Sequence, residues 1–249
     1  MKKIVAIIPA RWASTRFPGK PLVEILGKPL VQHVWERCCE ATGIDAVIVA
    51  TDDERIAKVA AEFGADVSMT KISHATGTDR LGEVVLRLRG VSHVINVQGD
   101  EPAIDPKLIS ELAAALRHEP RLQMITAAAR FPAKANLENP NQVKVITDLN
   151  GNAIYFSRVA IPYVRNKRDA VRPMHHLGIY GYRVSFLQKF ISWKPTPLEL
   201  AESLEQLRAL EHGTEIRVIE VAKPSVGVDS PEDIAEAIRE LRALSRSRR

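Results

Sequence analysis

Hydrophobic positions along the chain come in two textures. Residues 3–8, Lys-Ile-Val-Ala-Ile-Ile, form a nearly unbroken apolar run, the pattern of a strand covered on both faces. Downstream, Leu30, Val34, Trp35 and Cys38 recur at three- and four-residue spacing, which predicts a helix opened by Pro29 and stopped at Gly43. Residues 46–50 return to the strand texture. Thr51-Asp-Asp-Glu54 then reads as a capping box before a helix through Phe63, closed by Gly64. A third buried strand, 94–97, follows. Strands alternating with helices predict an α/β fold with a mostly parallel sheet and helices on both faces.

Past about residue 130 the alternation loosens. Residues 143–147 and 153–156 flank Asp148-Leu-Asn-Gly151 and predict a hairpin. Residues 177–183 and 216–221 read as further strands, separated by a helix near 198–211, and Pro231 opens a last helix. This mixed second half has the character of the acceptor side of a site. No internal repeat or low-complexity linker divides the chain, so residues 1–241 are read as one domain.

Composition changes this picture little. Apolar residues make up 45% and charged residues 26%, ordinary for a globular domain. No window approaches the roughly 18 apolar residues of a membrane span, and the first run is cut by Pro9 and Arg11 too early for a signal peptide. The expected partners exclude a membrane. The formal charge is +5, but Arg242, Arg246, Arg248 and Arg249 account for four, and the rest carries +1. Residues 242–249 therefore read as a disordered, solvated basic tail, and nucleic acid is not an expected partner. The two cysteines, Cys38 and Cys39, are neighbours and suit neither a disulfide nor a metal pair; buried thiols in a reducing cytoplasm is the reading.

Candidate chemistry begins right after the first strand. Ala10-Arg-Trp-Ala-Ser-Thr-Arg-Phe-Pro-Gly-Lys20 places Arg11, Arg16 and Lys20 on a loop stiffened by Pro18 and Pro21. Ligands of open α/β sheets bind at the carboxyl ends of strands, and cations between a strand and a helix suit a polyphosphate. The spacing matches neither the P-loop nor the dinucleotide fingerprint. Asp100, after the third strand in Asn-Val-Gln-Gly-Asp-Glu-Pro, is placed to hold Mg²⁺ against a triphosphate, with Asp229 as candidate partner. For Asp229 a helix-capping role before Pro231 stands beside metal binding. Asp52 and Asp53 read as capping residues. In His175-His-Leu-Gly-Ile-Tyr-Gly-Tyr-Arg183, strand alternation puts His176, Gly178, Tyr180 and Tyr182 on one face, a pocket wall or plain sheet surface. Glu202 and Gln206 are i,i+4 neighbours on the predicted 198–211 helix, where a solvated face is the default.

The blocks Ile7–Leu22, Val49–Asp53, Gly77–Arg80, Asn96–Pro102, Tyr155–Arg158, His176–Arg183, Leu204–Arg208 and Gly227–Asp233 together resemble the 3-deoxy-manno-octulosonate cytidylyltransferase family, in order and over nearly the whole chain. The resemblance implies a nucleotide-diphospho-sugar-transferase-like fold with a mixed acceptor-side sheet, usually a homodimer. It implies CTP and 3-deoxy-manno-octulosonate (Kdo) as substrates, CMP-Kdo and pyrophosphate as products, Mg²⁺ as cofactor, and a cytoplasmic setting in a bacterium that makes lipopolysaccharide. Carried over by position, Arg11, Arg16 and Lys20 hold the triphosphate, and Pro9, Ala10 and Gln98 help read cytidine. Asp100 and Asp229 bind Mg²⁺, while Arg158, Arg165, His176, Tyr180, Glu205 and Gln206 line the sugar pocket. Trp12 stands where the family pattern has tyrosine, His175 where it has arginine, and Leu200-Ala201 where it has a more polar pair. These departures bear on the sugar more than on the nucleotide, and leave 8-amino-Kdo or another 2-keto sugar acid such as N-acetylneuraminate as alternative acceptors.

Overall fold

The opening strand is the axis on which the rest is hung. In the computed structural model, which describes residues 3–13, 17–74, 76–166 and 172–247, β1 (Lys3–Ala10) lies between two parallel neighbours, β4 (Ala46–Thr51) and β6 (Val91–Asn96). Ile4, Ala6 and Ile8 join the core on one face and Val5 and Ile7 the core on the other. That double burial is why the sequence shows a continuous apolar run rather than alternation.

The main sheet runs β11-β7-β10-β6-β1-β4-β5. β5 (Asp66–Met69) adds parallel to β4, and β11 (Ile216–Val221) adds parallel to β7 (Met124–Arg130). β10 (Met174–Arg183) is inserted antiparallel between β6 and β7, and carries the hairpin of β8 (Lys144–Thr147) and β9 (Ala153–Ser157) on its edge. The expected parallel sheet with a mixed second half is therefore observed. A separate two-stranded ribbon pairs β2 (Glu24–Ile25) with β3 (Lys28–Pro29).

Helices cover both faces. α1 (Leu30–Cys39), α2 (Glu54–Glu62) and α4 (Pro106–His118) pack on one; α3 (Gly77–Arg87), α5 (Val184–Ser192) and α7 (Leu207–Glu211) pack on the other. The amphipathic α3, α4 and α5, with strands β5 and β7, were not singled out in the sequence.

Three expectations are corrected. The cap of α2 is Asp53, whose carboxylate accepts from Arg55 N, whereas Thr51 Oγ1 accepts from Asp53 N; the Thr51–Glu54 capping box does not form. The single helix near 198–211 is two, α6 (Pro197–Glu202) and α7, separated by Ser203 in a left-handed conformation at φ 51°. The break survives because its freed carbonyls are taken: Arg158 Nε donates to Glu202 O at 2.6 Å and Nη2 to Ser203 O at 3.1 Å. Glu202 and Gln206 are thus not neighbours on one helical face. Finally, the basic stretch from 242 does not start a disordered tail. Helix α8 (Ile234–Ser247) takes in residues 242–247, because Leu241 and Leu244 continue the apolar face that Ala237 presents to Ile25 and Leu30, while Arg248 and Arg249 lie outside the described residues.

Two short helices need an anchor, and Arg208 supplies it. Its Nε and Nη2 meet Glu199 Oε2 and Oε1 at 2.8 and 2.5 Å, with 5% and 8% of the two residues exposed. Removing one partner of so buried a pair strands the other charge. Arg208→Met should therefore lower the unfolding free energy by roughly 3 kcal/mol, read as a fall in the urea midpoint.

Candidate functional site

The carboxyl ends of β1 and β6 open onto a cavity of about 230 Å³ lined by Pro9, Ala10, Arg11, Lys20, Gln98, Asp100 and Asp229. Seven of the residues singled out in sequence thus meet in one place. Arg16 lies outside the described residues. A larger cleft of about 710 Å³ lies between α4, the end of β11 and α8, but charges on its wall are paired as Arg37–Glu40 and Lys223–Glu240. The smaller cavity holds the convergent charges.

Backbone geometry builds this site. Gly99 is pressed against β1 so closely that a Cβ there would fall 2.8 Å from Pro9 O, which excludes any side chain. Asp100 O accepts from Val228 N at 2.8 Å, stitching the 226–229 segment to the end of β6. The residue that caps the helical turn opened by Pro231 is Ser230, in a capping box with Asp233. The Asp233 carboxylate accepts from Asp229 N, Ser230 N and Ser230 Oγ at 2.8–3.0 Å. The Asp229 carboxylate is turned the other way, 3.7 Å from Lys20 Nζ.

Lys20 Nζ also donates to Asp100 Oδ2 at 2.6 Å. One ammonium therefore stands between two carboxylates that arrive from segments 129 positions apart. A third acid, Glu101, donates nothing to this balance: its carboxylate accepts from Ser225 Oγ, and burial, with the charges of Asp100 and Asp229 adding, pushes its pKa up to about 7. Two carboxylates sharing one cation are hard oxygen donors suited to Mg²⁺, which binds through one or two carboxylates plus waters and substrate phosphates. Among the described residues no cluster of three or more His, Cys, Asp or Glu forms a self-sufficient metal cage. No helix among them is long and apolar enough to cross a membrane.

The first turn of α3 supplies lining residues that the sequence reading passed over. Thr76 and Gly77 at its amino terminus, with His74 and Arg80, face the cavity. The Arg80 guanidinium is held by Asp52 at 2.8 Å and by the Thr70 hydroxyl. Asp52 is thus a guanidinium anchor instead of a cap. The missed signal was Thr76-Gly-Thr-Asp79, a capping box whose reciprocal bonds are both 3.1 Å, before an apolar stripe of Leu81, Val84 and Val85. Such an amino terminus presents unpaired N–H groups and a positive dipole end to the cavity.

The sugar-side candidates divide into two groups. His176, Tyr180 and Tyr182 do share a face, with ring centroids 5.4 and 5.9 Å apart; the bulge between Leu177 and Tyr180 adds two residues and preserves the alternation. Tyr182 is 1% exposed and stacks on Phe190, so it is core. From the same turn of α3, Thr78 Oγ1 donates to Glu205 Oε2 at 2.5 Å, while burial raises the Glu205 pKa. Glu205 Oε1, Gln206 Nε2 and Asn96 Oδ1 are buried without a hydrogen-bond partner. Arg208 Nη2 lies 3.7 Å from Glu205 Oε1, too far for a hydrogen bond. Arg158 stands apart: its three guanidinium nitrogens donate to the carbonyls of Glu202, Ser203 and Pro140, so it holds the turn before Glu205. Arg165 is exposed and is not among the residues lining the cavity.

The His176 ring is neutral. Enclosure, with His175 adding, lowers its pKa to about 3. Thr126 Oγ1 lies 2.7 Å from Ile179 O and 3.1 Å from His176 Nε2. A single hydroxyl proton given to the carbonyl assigns the ring proton to Nε2.

Comparison with known proteins agrees with this geometry. The cytidylyltransferase family model matches residues 5–216. The 3-deoxy-manno-octulosonate cytidylyltransferase of Geobacter sulfurreducens is 49% identical, covering 96% of this chain and 99% of the relative. That of Syntrophobacter fumaroxidans is 48% identical, over 95% and 96%. A solved CMP:2-keto-3-deoxy-manno-octonic acid synthetase complexed with CTP superposes with a TM-score of 0.92 at 43% identity, covering 98% of this chain and all of that one. A cytidylyltransferase structure from Leptospira borgpetersenii, at 15% identity and TM-score 0.64, shares the fold.

The pKa of His176 gives a testable pH dependence. The unfolded chain takes up this proton below about 6.5, while the folded ring resists it to about 3. Stability from this group is complete above the higher value and is lost as pH falls through the window. Against His176→Asn, the wild type should lose up to about 1.4 kcal/mol more per pH unit between pH 6 and 4, measured by urea unfolding. Equal slopes would mean that the ring titrates normally.

Proposed function

The chain belongs to the 3-deoxy-manno-octulosonate cytidylyltransferase family, and we propose how its residues divide the work of joining CMP from CTP to the anomeric hydroxyl of Kdo. The observation that carries the reading is the single ammonium of Lys20 set between Asp100 and Asp229 on the wall of an Arg11-lined cavity. Arg11 and Lys20, with Arg16, bind the triphosphate. Gln98, whose Nε2 donates to Gly178 O at 2.9 Å, stands with Pro9 and Ala10 beside the nucleotide.

In the reaction, the anomeric oxygen bonds to the α-phosphorus, the bond from that phosphorus to the bridging oxygen breaks, pyrophosphate leaves, and the hydroxyl proton is released. Little covalent chemistry falls to the protein, so positioning and charge stabilisation dominate. Arg11 and Lys20 balance the charge that grows on pyrophosphate. Lys20 is already poised on the two carboxylates and exchanges one anionic partner for another when the triphosphate enters. Asp100 and Asp229 would hold Mg²⁺, which when bound supplies a Lewis acid for the α-phosphate and a lower pKa for the attacking hydroxyl.

On the acceptor side, His176, Tyr180, Glu205 and Gln206 face the sugar. Arg158 acts by fixing the Glu202–Ser203 turn that carries Glu205, and Arg165 supplies positive charge for the sugar carboxylate. A homodimer in the cytoplasm, serving lipopolysaccharide synthesis, completes the proposal and is checked for assembly by sedimentation.

Pyrophosphate release with CTP and Mg²⁺ should be fast with Kdo and slow with 8-amino-Kdo or N-acetylneuraminate; release with another sugar alone would move the acceptor assignment. Asp100→Asn should reduce transfer by about a hundredfold or more while leaving the fold intact. Lys20→Ala should raise the KM for CTP by about tenfold or more, as loss of a charge-assisted contact requires. An unchanged CTP dependence would remove Lys20 from the triphosphate.

A further inference from the structure

The indole of Trp12 occupies the gap between the basic loop and α2. On the loop side, Gly19 N donates to Trp12 O at 3.1 Å, which brings the two ends of the loop together. Gly19 also lies against the ring itself: a Cβ there would fall 3.0 Å from Cη2 and 3.1 Å from Cζ2. With φ at 70°, Gly19 then turns the chain into the short 3₁₀ turn that begins with Lys20. The position of the Lys20 ammonium therefore depends on where the indole sits.

The indole is held in turn from α2. The guanidinium carbon of Arg55 lies 3.4 Å from the centroid of the Trp12 ring. Asp53 fixes that guanidinium, accepting from Nε at 3.0 Å and from Nη2 at 2.6 Å, and also accepts from Arg55 N at 2.9 Å. Asp53 caps α2 directly behind β4, the neighbour of β1, so this support is anchored in the sheet. A planar cation over an indole face is attracted by the ring quadrupole, and the bidentate carboxylate sets its plane.

We propose that Asp53, Arg55 and Trp12 form a clamp that fixes Gly19 and the turn carrying Lys20 for the triphosphate, with Arg55 as a positioning residue that does not itself touch CTP. The proposal rests on the nucleotidyl-transfer reading above. Its logic is preorganisation: a loop fixed before binding loses less conformational freedom when the nucleotide arrives. Arg55 is more than half exposed, so its ion pair contributes little to global stability. The clamp therefore acts on nucleotide affinity and leaves folding nearly untouched.

The test compares Arg55→Gln and Arg55→Lys with the wild type. Arg55→Gln should raise the KM for CTP by about fivefold, with kcat, the KM for the sugar acid and the thermal midpoint essentially unchanged. Arg55→Lys, which keeps a cation over the ring, should recover part of the loss. A readout without CTP accompanies these assays. The chain has three tryptophans, and the Trp12 indole N–H resonance, identified by its loss in Trp12→Phe, should shift in Arg55→Gln. An unmoved resonance would overturn the stack. A shifted resonance with unchanged KM for CTP would overturn its role in nucleotide binding, as would equal changes in both KM values or a fall in the thermal midpoint. A resonance that shifts in Arg55→Gln, with a wild type that uses no CTP, would instead overturn the nucleotidyl-transfer reading, and the clamp's function with it.

Discussion

Three acids crowd one edge of this sheet, and a single lysine keeps two of them together. Asp100 and Asp229 both lie within 4 Å of Lys20 Nζ, and Glu101 beside them has its pKa pushed up to about 7. Without a cation, charges so close would repel and the segments carrying them would separate. The fold spends its strictest backbone constraint here, at Gly99, where no side chain fits against Pro9 O. It also joins the ends of β6 and the 226–229 segment by Val228 N to Asp100 O. Lys20 itself is delivered by a turn that Gly19 and Trp12 shape. The charge balance and the geometry therefore depend on each other. A site that binds a polyanion beside two carboxylates must hold positive charge in place before either substrate comes.

What the sequence revealed, and what it hid, follows from the range of the interactions. β1, β4 and β6 were legible because burial on both faces writes a continuous apolar run. The clustering of Arg11, Lys20 and Asp100 followed from their places after strand ends, given a parallel sheet, whereas Asp229 entered only as a candidate partner acid. The 198–211 region misled because apolar spacing cannot report that Ser203 turns left-handed or that Arg158, some 45 positions away, accepts the task of satisfying its carbonyls. Whether Asp229 caps the last helix was likewise undecidable from spacing. The cap is Ser230, boxed with Asp233, and the Asp229 carboxylate lies 3.7 Å from Lys20 Nζ instead.

Arg158 shows how a motif can keep its residue and still differ from its expected role. The resemblance places it on the sugar. Here its guanidinium is spent on three backbone carbonyls, and its own carbonyl accepts from the fully buried Lys144 at 2.6 Å. Such a residue controls the acceptor side through the path of the chain. The arginine fork is well matched to that task, since three convergent carbonyls need a rigid, permanently charged donor. Lysine, with one ammonium centre, could not reach all three at once.

The acceptor side also carries its own selection rule. Asn96 Oδ1, Glu205 Oε1 and Gln206 Nε2 are buried without a hydrogen bond, Glu205 Oε1 having only the Arg208 guanidinium 3.7 Å away. Under the proposed function, an acceptor with hydroxyls at Glu205 and Gln206 recovers those bonds. One that lacks a hydroxyl leaves a desolvated polar atom unpaired, a penalty much larger than that of a missing methylene. The same turn of α3 links this choice to the nucleotide, because Thr76 and Gly77 line the cavity while Thr78 donates to Glu205. One helical turn thus joins the cavity wall to the buried Glu205 carboxylate, so a displacement of that turn is felt on both sides.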